Sequence, residues 1–67
     1  MNVTINGKPE SVTAVTIADV VAAMGKDPAG KGLAVALNGE VVPRRTWAER
    51  TITDDDRIEL LEAVKEG

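Results

Sequence analysis

Few side chains in this sequence could do chemistry, and their spacing argues against most of what they could do. Asp54, Asp55 and Asp56 form the densest acidic cluster. A calcium loop of the EF-hand kind needs ligands at alternate positions over about 12 residues, ending in a bidentate glutamate, and this stretch lacks that spacing. Three consecutive acids after Thr53 read instead as a solvated turn. Gly30-Lys31-Gly32 has the composition of a phosphate loop. A Walker-type loop, however, needs G-x-x-x-x-G-K-[ST] leading into a helix, and here the following residues, Leu33 to Leu37, read as a strand. Ser11 and the threonines have no histidine anywhere in the chain to activate them, which excludes a triad. Without cysteine there is neither a disulfide nor a thiolate metal site. Trp47, the only aromatic residue, could stack on a ligand; alone in such a domain it reads as a lid on the end of a small core.

What remains is the end of the chain. Beyond Val64, the last apolar residue, come Lys65, Glu66 and Gly67. A strand running into a short polar tail projects its α-carboxylate away from the body, and glycine, lacking Cβ, can thread a narrow channel. A frayed glycine end with no function has the same appearance, so the feature alone leaves both readings open.

The elements that would position such a tail follow from periodicity. Met1 to Ile5 alternates, with Val3 and Ile5 on one side, as a half-buried strand does. Asn6-Gly7 is a hairpin turn signal, and Lys8 to Thr13 returns beside the first strand, with Pro9 restricted to its start or to an edge. Thr16 opens a helix with Asp19 three residues on, close to a capping box. Ile17, Val20, Val21 and Met24 make one apolar stripe, and Gly25 ends the helix. After a loop from Lys26 to Gly32, Leu33 to Leu37 reads as a central strand with alanines on its second face. Asn38-Gly39 turns into Glu40-Val41-Val42, Pro43 stops that strand, and Arg44 to Arg50 forms a short helical turn around Trp47. Arg57 to Val64 is the last strand. The order β-β-α-β-β-β is that of an α+β, ubiquitin-like β-grasp, a mixed sheet packed on one helix. The expected core is Val3, Ile5, Ile17, Val20, Val21, Val35, Leu37, Ile58 and Leu60. Residues 1–64 form the domain and residues 65–67 a flexible tail. Leu61 should face away from the helix, with Ala34 and Ala36 extending a surface on which a partner could dock.

Composition narrows the function classes. The 67 residues suffice for one small domain, and 43% hydrophobic content suits a globular chain rather than a disordered one. Eight scattered basic residues against eleven acidic ones, with one aromatic, give no face for nucleic acid. No apolar run approaches the ~20 residues that span a membrane, and the N-terminus has no signal-peptide pattern. A cytoplasmic protein with no bound metal or cofactor is expected.

The stretches Leu33–Arg44, Trp47-Ala48 and Asp56–Leu61 together resemble the ThiS family of sulfur carriers, and the resemblance extends over essentially the whole chain. Its most specific part is Val-Pro-Arg-x-x-Trp-Ala, Val42 to Ala48; related carriers for molybdopterin synthesis are usually longer and lack it. The resemblance implies a protein co-substrate rather than an enzyme. A ThiF-like adenylating enzyme would activate the carboxylate of Gly67 with ATP and magnesium. A cysteine desulfurase or other sulfur donor would convert it to a thiocarboxylate, and a ThiG-like thiazole synthase would take the sulfur for thiamine biosynthesis. The family normally ends in Gly-Gly, and Glu66 stands at the first of those glycines. Either Glu66 is tolerated there, or a further glycine follows in the natural chain. The alternatives are a carrier serving cysteine, molybdopterin or a secondary metabolite, and a non-catalytic β-grasp interaction module.

Overall fold

The computed structural model describes residues 1–26 and 32–62. Its elements run β1 (Asn2–Ile5), β2 (Lys8–Ser11), α1 (Ile17–Ala23), β3 (Leu33–Leu37), β4 (Glu40–Val42), a single 3₁₀ turn (Arg44–Thr46) and β5 (Arg57–Glu62). The five strands form one sheet in the order β2-β1-β5-β3-β4. Only β1 and β5 run parallel; every other pair is antiparallel. This is the β-grasp arrangement, and it puts the last strand at the centre of the sheet. Pro9 lies on β2, at an edge, where a missing ladder donor costs least.

Both hairpins turn on Asn-Gly pairs in which each residue takes positive φ: 50° and 82° at Asn6-Gly7, 52° and 88° at Asn38-Gly39. Those turns twist in the sense the flanking strands need.

One face of the sheet packs on α1. Val3, Ile5, Ile17, Val20, Val21, Val35, Leu37 and Ile58 are buried together, with Val42, Trp47 and Ile52 completing the core. Leu60 packs against this cluster only partly buried. Met24, the fourth member of the expected stripe, is the C-cap of the helix and 40% exposed. Met24 N still donates to the Val20 carbonyl at 3.0 Å, so Met24 keeps its helical place at the end of the stripe, and Gly25 then turns the chain with φ 79°.

The first backbone donors of a helix have no partners within it, and here each is satisfied from outside or by the cap. Ile17 N donates to the Arg50 carbonyl at 2.9 Å and Ala18 N to the Trp47 carbonyl at 3.1 Å. Asp19 N donates to Thr16 Oγ1, while Asp19 Oδ2 accepts from the Thr16 backbone, closing a full capping box. The Trp47 indole, 2% exposed, donates to the Val42 carbonyl at 2.8 Å, and the Arg44 guanidinium lies 5.3 Å from the ring centroid. Val42 to Ala48 is therefore a latch between β4 and the start of α1. Its tryptophan is core and presents no stacking surface for a ligand.

Candidate functional site

β5 is held from both sides by the two asparagines of the hairpin turns. Asn6 Oδ1 accepts from Leu60 N at 2.8 Å, and Asn6 N donates to the Ile58 carbonyl at 2.9 Å. On the other flank Asn38 Oδ1 accepts from Arg57 N at 2.8 Å, and Asn38 N donates to the Arg57 carbonyl at 2.7 Å. At its far end β5 pairs Glu62 with Leu33, and Glu62 Oε1 meets Lys26 Nζ at 2.8 Å. That pair is exposed at both side chains, so it steadies the strand end only weakly. The expected domain boundary at residue 64, together with Lys65, Glu66 and Gly67, lies outside the described residues.

The outer face of the sheet follows from the pairing register. Val35, Leu37 and Ile58 are buried toward the helix, so their alternates point outward. Leu61 stands opposite Ala34, and it is 65% exposed. Ala36 stands opposite Glu59 on one side and Val41 on the other, and Val41 is 76% exposed. Leu61, Ala34, Ala36 and Val41 thus form one apolar area with shallow alanines at its middle, placed beside the end of β5. Val41 went unnoticed in the sequence. It could have been found by counting back from the Asn38-Gly39 turn, which pairs Leu37 with Glu40 and so places Val41 opposite Ala36. At the opposite end of the same face, a shallow recess of about 250 Å³ opens between the two turns. Its lining is Thr4, Gly7, Gly39, Arg57, Ile58 and Glu59.

The aspartate cluster builds a turn. Asp54 Oδ1 accepts from Asn2 N at 2.9 Å, and Asp55 N donates to the Asn2 carbonyl at 2.7 Å with φ 72°. Asp56 takes Thr53 N at 2.8 Å on Oδ2 and the Asn38 amide at 3.1 Å on Oδ1. Partial burial works against ionising Asp56. The hydrogen bonds from the Thr53 backbone, the Asn38 amide and the Thr53 hydroxyl, with the charge of Arg50, outweigh it and hold the carboxyl below its ordinary range. Among the described residues no three His, Cys, Asp or Glu side chains converge as metal ligands. Nor is any helix among them long and apolar enough to cross a membrane.

Comparison with known proteins gives a consistent result. The sequence model of the ThiS family matches residues 3–65. A curated relative, the sulfur carrier protein ThiS of Escherichia coli (strain K12), is 39% identical over 36 residues, and the match spans about half of each chain, 54%. The crystal structure of the thiamine biosynthesis protein ThiS from Geobacter metallireducens superposes with a TM-score of 0.82 at 31% identity, covering 100% of both chains. An NMR solution structure of a thiamine biosynthesis protein from the same organism gives 0.78 at 30% identity, over 100% of this chain and 88% of the other.

Proposed function

We propose that this chain, which belongs to the ThiS family, serves as a sulfur carrier whose reacting group is the α-carboxylate of Gly67. One observation carries the reading: the family match runs through residue 65 on a fold whose last strand, β5, is the central one and ends at Glu62. Beside that end lies the apolar area of Leu61, Ala34, Ala36 and Val41, a surface a partner can approach closely.

The chemistry needs no side chain of this protein. A carboxylate is a poor acyl donor because oxide is a poor leaving group. Attack of the Gly67 carboxylate on the α-phosphate of ATP would give an acyl-adenylate and release pyrophosphate, with magnesium and ATP held by a ThiF-like enzyme. Hydrosulfide would then displace AMP and leave a thiocarboxylate directly. A persulfide from a cysteine desulfurase would displace AMP to give an acyl disulfide, which a thiol reductant would cleave to the thiocarboxylate. A ThiG-like thiazole synthase would be the acceptor. Both enzymes would grip the outer face at Leu61, Ala34 and Ala36, with Lys65 and Glu66 the residues that precede the reacting carboxylate in sequence.

Glu66 is the point of departure from the family pattern, and it favours a second reading, an interaction module without acyl chemistry. The experiment compares three chains: residues 1–67, the same chain with Glu66→Gly, and the same chain extended by one glycine. Each is incubated with a ThiF-like enzyme, ATP, magnesium and bisulfide, and its intact mass is read for replacement of one oxygen by sulfur. Conversion of the first two supports a tolerated Glu66. Conversion of the extended chain alone places the reacting glycine one residue further on. Failure of all three leaves the interaction module.

A further inference from the structure

The strand positions of the outer face are almost free of charge. Asn2 and Thr4 on β1, Pro9 and Ser11 on β2, Ala34 and Ala36 on β3, and Val41 on β4 are all uncharged. The two exceptions are Arg57 and Glu59, consecutive outward positions of β5, both exposed and both at the recess between the hairpin turns. Charges on a sheet commonly protect an edge from pairing with another chain, but β5 is the central strand, so that reason does not apply. Nor are they spent internally. Their cross-strand neighbours are Thr4 and Ala36, and neither side chain makes an ion pair or hydrogen bond among the described residues.

We propose that Arg57 and Glu59 fix how the adenylating enzyme sits on the outer face: a carboxylate of the enzyme meets Arg57, and a cationic side chain of the enzyme meets Glu59. This rests on the reading that an adenylating enzyme docks there. An apolar area of leucine, valine and alanine is attractive but permits sliding and rotation. Two opposite charges, two residues apart along one strand and so roughly 6.5–7 Å from each other, define a direction. The wrong orientation would set like charges together, and such pairs select orientation and partner more than they add affinity. The direction matters because β5 runs from Arg57 to Glu62, and the reacting carboxylate lies five residues further along the sequence. Only one alignment of the charged end directs that carboxylate toward the partner's nucleotide site.

A face carrying one positive and one negative charge is also complementary to itself, since a two-fold axis would set Arg57 of one copy against Glu59 of another. The exchange variant Arg57→Glu with Glu59→Arg separates the cases. It keeps net charge and self-complementarity but reverses the order an enzyme would meet. Binding of the wild type, the exchange variant and the single variants R57Q and E59Q to a ThiF-like enzyme from the same organism is titrated at low and high salt. Sedimentation of each chain alone runs in parallel, and the Trp47 fluorescence of each checks folding. The expected result is affinity weakened about tenfold or more by the exchange at low salt, with a smaller deficit at high salt and intermediate single variants. Unchanged affinity for the exchange variant overturns the proposal. A wild-type dimer that persists in the exchange variant also overturns it, by giving the face to a second copy. A wild-type chain that binds no adenylating enzyme removes both this proposal and the carrier reading. Order-dependent binding without thiocarboxylate formation removes the carrier reading alone.

Discussion

Asn6 and Asn38 occupy equivalent places in two Asn-Gly turns, and the difference between them yields a paired test. Each presents Oδ1 to a backbone N–H of β5. Only Asn38 also uses its amide as a donor, to Asp56 Oδ1 at 3.1 Å. Changing asparagine to aspartate keeps the acceptor and removes the donor. At Asn6 nothing else is lost, so Asn6→Asp should lie within about 0.5 kcal/mol of the wild type. At Asn38 the change forfeits a hydrogen bond worth about 1 kcal/mol net. It also sets a second carboxylate beside Asp56, a repulsion of about 1 kcal/mol for charges ~4 Å apart in water. Arg50, whose charge already favours ionised Asp56, softens that repulsion, so about 2 kcal/mol is the upper end for Asn38→Asp. Positive φ at both sites makes the backbone cost common to the two variants.

A total stability of about 3–10 kcal/mol is typical of a 67-residue domain, so a loss of this size is easily measured. Urea unfolding followed by the fluorescence of Trp47, the only tryptophan and a buried one, reads it directly. By heat the same loss corresponds to a midpoint lowered by about 8–16 °C. The Asn38→Asp deficit should shrink below about pH 4, where one acid of the pair takes a proton and can donate to the other. Equal effects at the two sites, or a neutral Asn38→Asp at pH 7, would show that the Asn38–Asp56 bond contributes nothing.

Three further outcomes are expected. Val20 is fully buried, and Val20→Ala should cost about 2–4 kcal/mol in the same urea assay; a cost under 1 kcal/mol would remove Val20 from the load of the core. Asp19 accepts from the Val15 and Thr16 backbone N–H groups, which with the Thr16 hydroxyl hold its carboxyl below the ordinary range, and Asp56 shifts the same way. A lowered folded-state value means stability that is present above the unfolded value of about 4 and lost as pH falls through the folded one, so Asp19→Asn and Asp56→Asn should flatten the acid limb of a urea-midpoint profile. Leu61→Asp should weaken binding of the adenylating enzyme while leaving the thermal midpoint nearly unchanged, because Leu61 is largely solvated in the free protein; undiminished binding would take Leu61 out of the interface.

The parts of this fold that were legible in the sequence are those governed by local periods and turn chemistry. Ile17, Val20 and Val21 lie one helical face apart and are buried, and both Asn-Gly pairs turn where positive φ is required. Ile52 was not legible. It belongs to no strand or helix, yet it is buried in the core, and its backbone N donates to the Val15 carbonyl, a contact no period announces. Leu60 has the right alternation but only partial cover, a matter of how far the helix extends over the sheet. The outer face was half legible. Leu61 and the alanines follow from alternation on two strands, whereas joining them to Val41 and to Arg57 and Glu59 requires the strand order, which places β5 between β1 and β3.

That placement gives β5 two separable tasks. Its inward residue Ile58 is fully buried and its backbone is bonded on both flanks, so the strand is fixed by groups that no partner needs to touch. Its outward residues Arg57, Glu59 and Leu61 are exposed and make no side-chain contribution to that scaffold. Substitution on the outward row should therefore leave folding intact, whereas substitution at Ile58 should not. The same logic applies to Val42–Ala48, the stretch by which the sequence most resembles its family. Val42 and Trp47 in it are buried, and the Trp47 carbonyl bonds the helix start, so the stretch identifies the fold. What distinguishes one carrier's partner from another's should be sought on the outward row of β5.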